Sequence, residues 1–352
     1  MNLITVGINH KTAPIAIREQ FFLNSTQQDL LLSELKCHPE VLEAFVLSTC
    51  NRTEIYAHTL DTQNFFAYFI KQLCSIKKIS FDHHLAGHFY TYHNKEAVRH
   101  LFRVCAGMDS LVLGEKQILG QVKDALVRAQ ERGMFTKNFN VLANLALRTG
   151  KKVQNETMIS YGGSSVGWAA IMLAENVLGS LQEKAVLVIG AGKMGEVSLS
   201  QLKQKGVRKI YLMNRTQCIA EQLAAEHQAE SASFADIKEI LAHVDLAVCA
   251  ASAPHYILDR VTVEKIMPSR EYRPLTLLDI SMPRNIDPAC AGIAGVYLAH
   301  IDDLQQVVDV TMQKRQDAIG MVETIIEEKL AAYYDRLAKS SDPSGEFHIS
   351  AS

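Results

Sequence analysis

The segment "LSTCNRTEIY", Leu47 to Tyr56, places a thiol, a guanidinium and two short polar side chains at four consecutive positions, Thr49, Cys50, Asn51 and Arg52. A structural cysteine normally sits among apolar neighbours. One flanked by hydrogen-bonding groups suits covalent catalysis, in which the thiolate takes up an acyl group while its neighbours hold the substrate. Read from these residues alone, an inert, packed Cys50 remains an equal alternative.

A second constellation lies in "VLVIGAGKMGEV", where Gly190, Gly192 and Gly195 form G-x-G-x-x-G at the end of an apolar run and the start of a helical one. In a dinucleotide fold Gly190 permits the tight turn, Gly192 lets the backbone approach a pyrophosphate, and Gly195 allows close helix-to-strand packing. Ala191, Lys193 and Met194 complete the loop. About 20 positions on, where an NAD site carries an acidic residue for the ribose hydroxyl, the chain has Asn214, Arg215 and Thr216. A guanidinium pairs with a 2'-phosphate, so the expected cofactor is NADPH. A thiol combined with a nicotinamide cofactor points to an acyl-reducing enzyme, because a thioester is far easier to reduce than a carboxylate.

These groups need elements to hold them. Up to about residue 90, strand-like runs ("LITVGINH", "AFVLSTC", "TEIYAHT") alternate with helical ones ("TQQDLLLSELK", "NFFAYFIKQLCSI"), which predicts a small α/β layer with helices on one sheet face. From Asn94, a candidate N-cap, to about Glu156 the pattern is helical. Ile118, Val122, Ala125 and Ala129 mark one apolar face of a helix that stops at Gly133. From Lys184 strands and helices alternate again, as in a parallel doubly wound sheet. One continuous helix is expected from Asp302 to about Lys339, followed by a frayed tail. The expected domains are therefore 1–157, catalytic; 158–301, Rossmann-like and NADP-binding; 302–339, a long helix; and 340–352, a disordered tail.

The 352 residues, 48% hydrophobic, suffice for such a multidomain core. A net charge of -2 provides no general attraction to DNA, RNA or an anionic membrane, so a polyanion needs a local basic patch. Arg148, Lys151 and Lys152 are candidates for one. Seven scattered cysteines without a C-x-x-C pair suggest free thiols in a reducing compartment. His83, His84, His88 and His93 lack metal-ligand spacing, and no metal is expected. Neither a signal peptide nor a run of 18 apolar residues is visible, so a cytoplasmic protein is expected.

"GINHKTAPIAIRE", "LSTCNRTEIY" and "GMDSLVLGEKQILGQVK", followed by "VIGAGKMG", "NRT" and "DISMPRNIDP", resemble in order and content the glutamyl-tRNA reductases. The resemblance runs from Leu3 to roughly Lys339. It implies NADPH-dependent reduction of glutamyl-tRNA to glutamate-1-semialdehyde with release of tRNA, the first committed step of tetrapyrrole synthesis by the five-carbon route. By position, Cys50 is the implied nucleophile and His100 the residue assisting the chemistry, as acid, base or positioning group. Thr49, Asn51, Arg52, Ser110, Glu115, Lys116, Gln117 and Gln121 are implied to bind the substrate, Arg52 through a carboxylate and Glu115 through the ammonium. Lys116 departs from the proline common in the family's "GEPQ". Glutamate-1-semialdehyde aminomutase is a candidate partner.

The resemblance implies that the long helix leads to a C-terminal dimerisation domain; that domain is expected to be truncated here, and a monomer or weak dimer is expected. Leu304, Val307, Val308, Met321, Ile325 and Leu330 form the stripe by which the helix would pack on its own domains or on a second chain. Two rivals are an NADP-dependent dehydrogenase of the shikimate type with Cys50 incidental, and a nucleotide-sensing interaction protein without turnover.

Overall fold

The computed structural model describes residues 2–80, 82–160, 165–304 and 313–340. In chain order the first part contains β1 (Asn2–Asn9), α1 (Ile15–Phe21), α2 (Ser25–Lys36), β2 (Val41–Ser48), β3 (Arg52–Thr59), α3 (Phe65–Lys77), α4 (His83–Ala86), β4 (Tyr90–His93), α5 (Asn94–Cys105), α6 (Gln117–Glu131) and α7 (Lys137–Glu156). The strands form one antiparallel sheet ordered β2-β3-β1-β4. Helix α6 buries Ile118, Val122, Ala125 and Ala129 and ends before Gly133, whose φ of 68° suits a residue without Cβ. Asn94 does not cap α5. His93 takes that position, and the Asn94 side chain instead accepts the Leu3 amide at 3.2 Å, tying the helix to β1.

After α8 (Val166–Leu178) come β5 (Ala185–Ile189), α9 (Lys193–Gln204), β6 (Lys209–Met213), α10 (Gln217–His227), β7 (Glu230–Ala232), α11 (Ile237–His243), β8 (Leu246–Cys249), α12 (Arg260–Ile266), β9 (Leu275–Asp279) and β10 (Val296–His300). Their parallel sheet is ordered β10-β9-β8-β5-β6-β7. The order reverses between β5 and β8, and such a switch point opens a crevice beyond the carboxyl ends of the strands. The fold is α/β with a doubly wound second sheet, as expected.

The terminal helix differs in detail. A short 3-10 turn spans Ile301–Leu304, and α13 covers Gln313–Ser340. Ala318, Val322, Ile325, Ile326, Leu330 and Tyr333 are buried in the core of the first sheet and its helices. Of the expected stripe, Ile325 and Leu330 lie on this face, Leu304 packs with the second sheet, and Met321 is 54% exposed. At 100° per residue Met321 lies roughly 110° from the middle of the face that Ala318, Val322, Ile325, Ile326, Leu330 and Tyr333 form. Val307, Val308 and residues 341–352 lie outside the described residues. Among those described, no helix is long and apolar enough to cross a membrane.

Candidate active site

Strands β2 and β3 are hairpin partners, and Thr49, Cys50 and Asn51 make the turn between them. The turn is pinned from several sides. Thr49 N–H donates to the Arg52 carbonyl at 2.8 Å, Asn51 N–H to Thr49 Oγ1 at 3.2 Å, and His10 N–H to the Asn51 carbonyl at 3.0 Å. Cys50 is thereby presented to a cavity of about 340 Å3, one wall of which is Phe22, Thr49, Gln117 and Gln121. The other wall comes from the second domain, with Gly192, Lys193 and Met194 of the glycine loop and Ile280, Ser281 and Met282 after β9. Burial, reinforced by the charge of Glu115, pushes the Cys50 thiol up to about 12 against the pull of Arg18 and Arg52. At neutral pH it is a thiol, so its activation must come with the substrate.

Behind the turn lies a network of buried ionisable groups. Arg52 donates from Nη1 to Glu54 Oε1 at 2.6 Å and from Nη2 to the Asp109 carbonyl. Glu54 also accepts from Tyr56 Oη at 2.7 Å and from Tyr90 Oη, and pairs with His100 Nε2 at 2.9 Å. Burial opposes its charge, but Arg52 and His100 outweigh that and hold the carboxyl well below the usual range. Burial likewise disfavours the His100 cation, yet Glu54 and Asp109 raise its pKa. His100 is thus joined to the cysteine turn through Glu54 and Arg52. Opposite Glu54 on β1 stands Gly7, where a Cβ would lie 2.6 Å from the Glu54 Cγ. Glu54, Tyr90 and Asp109 were absent from the sequence-based site.

Asn51, Ser110 and Glu115 are buried. Asn51 Oδ1 has no hydrogen-bond partner, and Ser110 Oγ lies near Glu115 without completing a bond of good geometry. Burial raises Glu115 to about 7 against the charge of Arg52. Buried oxygens without a partner, such as Asn51 Oδ1, and Ser110 Oγ beside the Glu115 carboxyl, are costly to fold and useful to a ligand carrying N–H donors. Gln117 and Gln121, one turn apart on α6, line the cavity together, whereas Lys116 is exposed at the helix start and offers its carbonyl to Gln154 Nε2 at 3.4 Å.

A second cavity of about 530 Å3 opens at the switch point, lined by Gly190, Ala191, Gly192, Asn214, Arg215, Phe234 and the 250–257 loop. It shares Gly192, Ala250, Ala251 and Ser252 with the Cys50 cavity, so a trough leads from Arg215 to the thiol. Asn214 Oδ1 accepts the Ala191 amide at 3.3 Å and Asn214 Nδ2 donates to the Thr216 carbonyl at 3.1 Å, fixing the loop against the end of β6. A Cβ on Gly195 would stand 2.0 Å from the Gly190 carbonyl, while at Gly192 it would meet nothing within 4 Å. Packing thus requires Gly195. The space over Gly192 at a helix N-terminus fits a pyrophosphate.

Two family models match successive parts of the chain. Residues 6–157 match the family model described as "Glutamyl-tRNAGlu reductase, N-terminal domain", and residues 172–307 match "Shikimate / quinate 5-dehydrogenase". The chain is 37% identical over 347 residues to a glutamyl-tRNA reductase of Thermodesulfovibrio yellowstonii, covering 96% of this chain and 80% of that one. With a glutamyl-tRNA reductase of Bacillus subtilis it shares 36% over 333 residues, 95% and 73% of the two chains. The solved glutamyl-tRNA reductase from Methanopyrus kandleri superposes with a TM-score of 0.52 at 33% identity, covering 96% of this chain and 80% of that one. The second domain is of the kind that holds a nicotinamide cofactor.

Proposed function

Because this chain belongs to the glutamyl-tRNA reductase family, we propose that Cys50 carries the covalent step by which this oxidoreductase converts the activated glutamate of glutamyl-tRNA to glutamate-1-semialdehyde. That reaction opens tetrapyrrole synthesis by the five-carbon route. Cys50 Sγ adds to the aminoacyl ester carbon and the bond to the ribose oxygen breaks. The tRNA leaves as an alcohol, with the thiol's proton, and a glutamyl thioester remains. The observation that carries this reading is the single cavity walled by Cys50 on one side and the glycine loop on the other.

Each neighbour then has a task. Glu115 and the unpartnered oxygens of Asn51 and Ser110 receive the substrate ammonium, a cation that favours the ionised carboxylate. Arg52 keeps N–H donors beyond those given to Glu54 and Asp109, and these hold a carboxylate. Thr49 shapes the turn, and Gln117 and Gln121 reach the ester from α6. His100 acts as a positioning residue, steadying Arg52 through Glu54. Lys116, exposed and outside the cavity lining, adds positive charge one residue before Gln117. NADPH, when bound, supplies the hydride that with one proton turns the thioester into aldehyde and free thiol. Gly190 to Gly195 hold its pyrophosphate, and Arg215, with Asn214 and Thr216, its 2'-phosphate. An aminomutase that consumes the reactive aldehyde is the expected partner.

With glutamyl-tRNA and without NADPH, the wild-type protein should accumulate a glutamyl thioester on Cys50, read as a mass increase, and Cys50→Ala should not. Adding NADPH should discharge it as semialdehyde. Normal turnover by Cys50→Ala would sink the proposal.

A further inference from the structure

Two adjacent residues of α1 reach from the first domain to the second. Arg18 donates from Nη2 to Asp302 Oδ1 at 2.7 Å and from Nη1 to Oδ2 at 3.2 Å. The same Oδ2 accepts the Ile15 amide at 3.0 Å, so a residue of the other domain caps α1, whose own N-cap position is Pro14. Glu19 accepts from Arg284 Nη2 at 2.6 Å and from Nε at 3.0 Å. These pairs are shielded, with side-chain exposures of 3% for Arg18 and 14% for Arg284, and fork-on-fork geometry makes them directional.

Their placement matters more than their strength. Arg284 follows Ile280, Ser281 and Met282, which wall the Cys50 cavity, and Phe22, just past α1, forms part of the facing wall. Asp302 lies on the 3-10 turn whose Ile301 and Leu304 are packed in the core of the second domain. Helix α1 therefore grips the nucleotide domain at the cavity edge and at the end of its sheet.

We propose that Arg18–Asp302 and Glu19–Arg284 form a two-point latch that sets the separation of the nicotinamide subsite from Cys50, and so controls hydride transfer while leaving thioester formation alone. This rests on the thioester role of Cys50. Acyl transfer uses groups of the first domain, whereas hydride transfer needs alignment across the seam, where a displacement of about 1 Å costs roughly a hundredfold. Glu19 and Arg284 are positioning residues in this scheme.

The test compares wild type, Glu19→Gln, Glu19→Arg and the swap Glu19→Arg with Arg284→Glu in single-turnover assays. Glu19→Gln should form the thioester from glutamyl-tRNA at the wild-type rate and discharge it with NADPH roughly ten- to a hundredfold more slowly at saturating cofactor. The swap should recover most of that loss. An unchanged discharge rate, or parallel slowing of both steps that the swap does not relieve, overturns the latch. Small-angle scattering reads the seam without chemistry: Glu19→Arg should enlarge the particle and the swap should restore it. An unchanged envelope overturns the proposal even if wild type forms no thioester, an outcome that by itself would refute only the role of Cys50.

Discussion

Glu115 should make this protein less stable as pH rises through the range where it is meant to work. Its carboxyl is 4% exposed, and burial lifts its pKa from an ordinary 4.5 to about 7. At about 1.36 kcal/mol per pH unit, the ionised form costs the folded state about 3 kcal/mol. The sign follows from proton counting. Between the two values the unfolded chain has released the proton and the folded chain still holds it, so stability falls with pH across that interval and levels off above about 7. Glu115→Gln keeps the shape and removes the titration. Urea unfolding of both proteins between pH 5 and 8.5, followed by circular dichroism, should show wild type losing about 2–3 kcal/mol more than the variant. Parallel pH profiles would refute the reasoning. The penalty has a use, since an arriving ammonium relieves it and binding gains what folding gave up.

Arg215→Ala should weaken NADPH binding by on the order of 1.5–3 kcal/mol, ten- to a hundredfold, and barely alter NADH; equal losses in titrations with both would mean that Arg215 does not meet the 2'-phosphate. Gly195→Ala places a methyl against the Gly190 carbonyl and should abolish dinucleotide binding in calorimetry while Cys50 still acquires its acyl group. Leu330→Ala should cost roughly 2–5 kcal/mol in urea unfolding, whereas Met321→Ala, on the exposed side of the same helix, should stay within about 0.5. Arg148 and Lys151 are exposed whereas Lys152 pairs with Glu328 at 3.1 Å; if the first two meet phosphates, removing either should flatten the salt dependence of tRNA affinity by about 0.7–0.9 in slope, and an unchanged slope clears them.

What was legible in the sequence was whatever is encoded locally. The turn around Cys50 follows from a strand-like run broken by polar residues, and the glycine loop carries its spacing in six residues. The network behind the turn is different, because Glu54 meets Tyr90 and His100 only after β3, β4 and α5 have packed. One signal was available: Arg52, Glu54 and Tyr56 alternate along β3, so three polar groups share one face of a strand in which every residue is buried. Strand β4 is four residues long and α1 seven, too short for a period to declare itself. The stripe on α13 was misaligned by one position at Met321 because a helix with apolar residues at several phases does not reveal which face its partner takes.

The packing of α13 has a consequence for synthesis. The sheet that carries Cys50 leaves the ribosome before the nucleotide domain, but its core includes Val322, Ile326 and Leu330, which emerge after the whole of that domain. Until then the apolar groove that α13 will occupy faces water, and the early part of the chain waits in a partly assembled, sticky state. The nucleotide domain, contiguous between β5 and β10, has no such wait and is free to fold first. The sheet made before the nucleotide domain is thus finished after it, and a nascent chain stalled between residues 305 and 312 should recruit chaperones more strongly than one extended past α13.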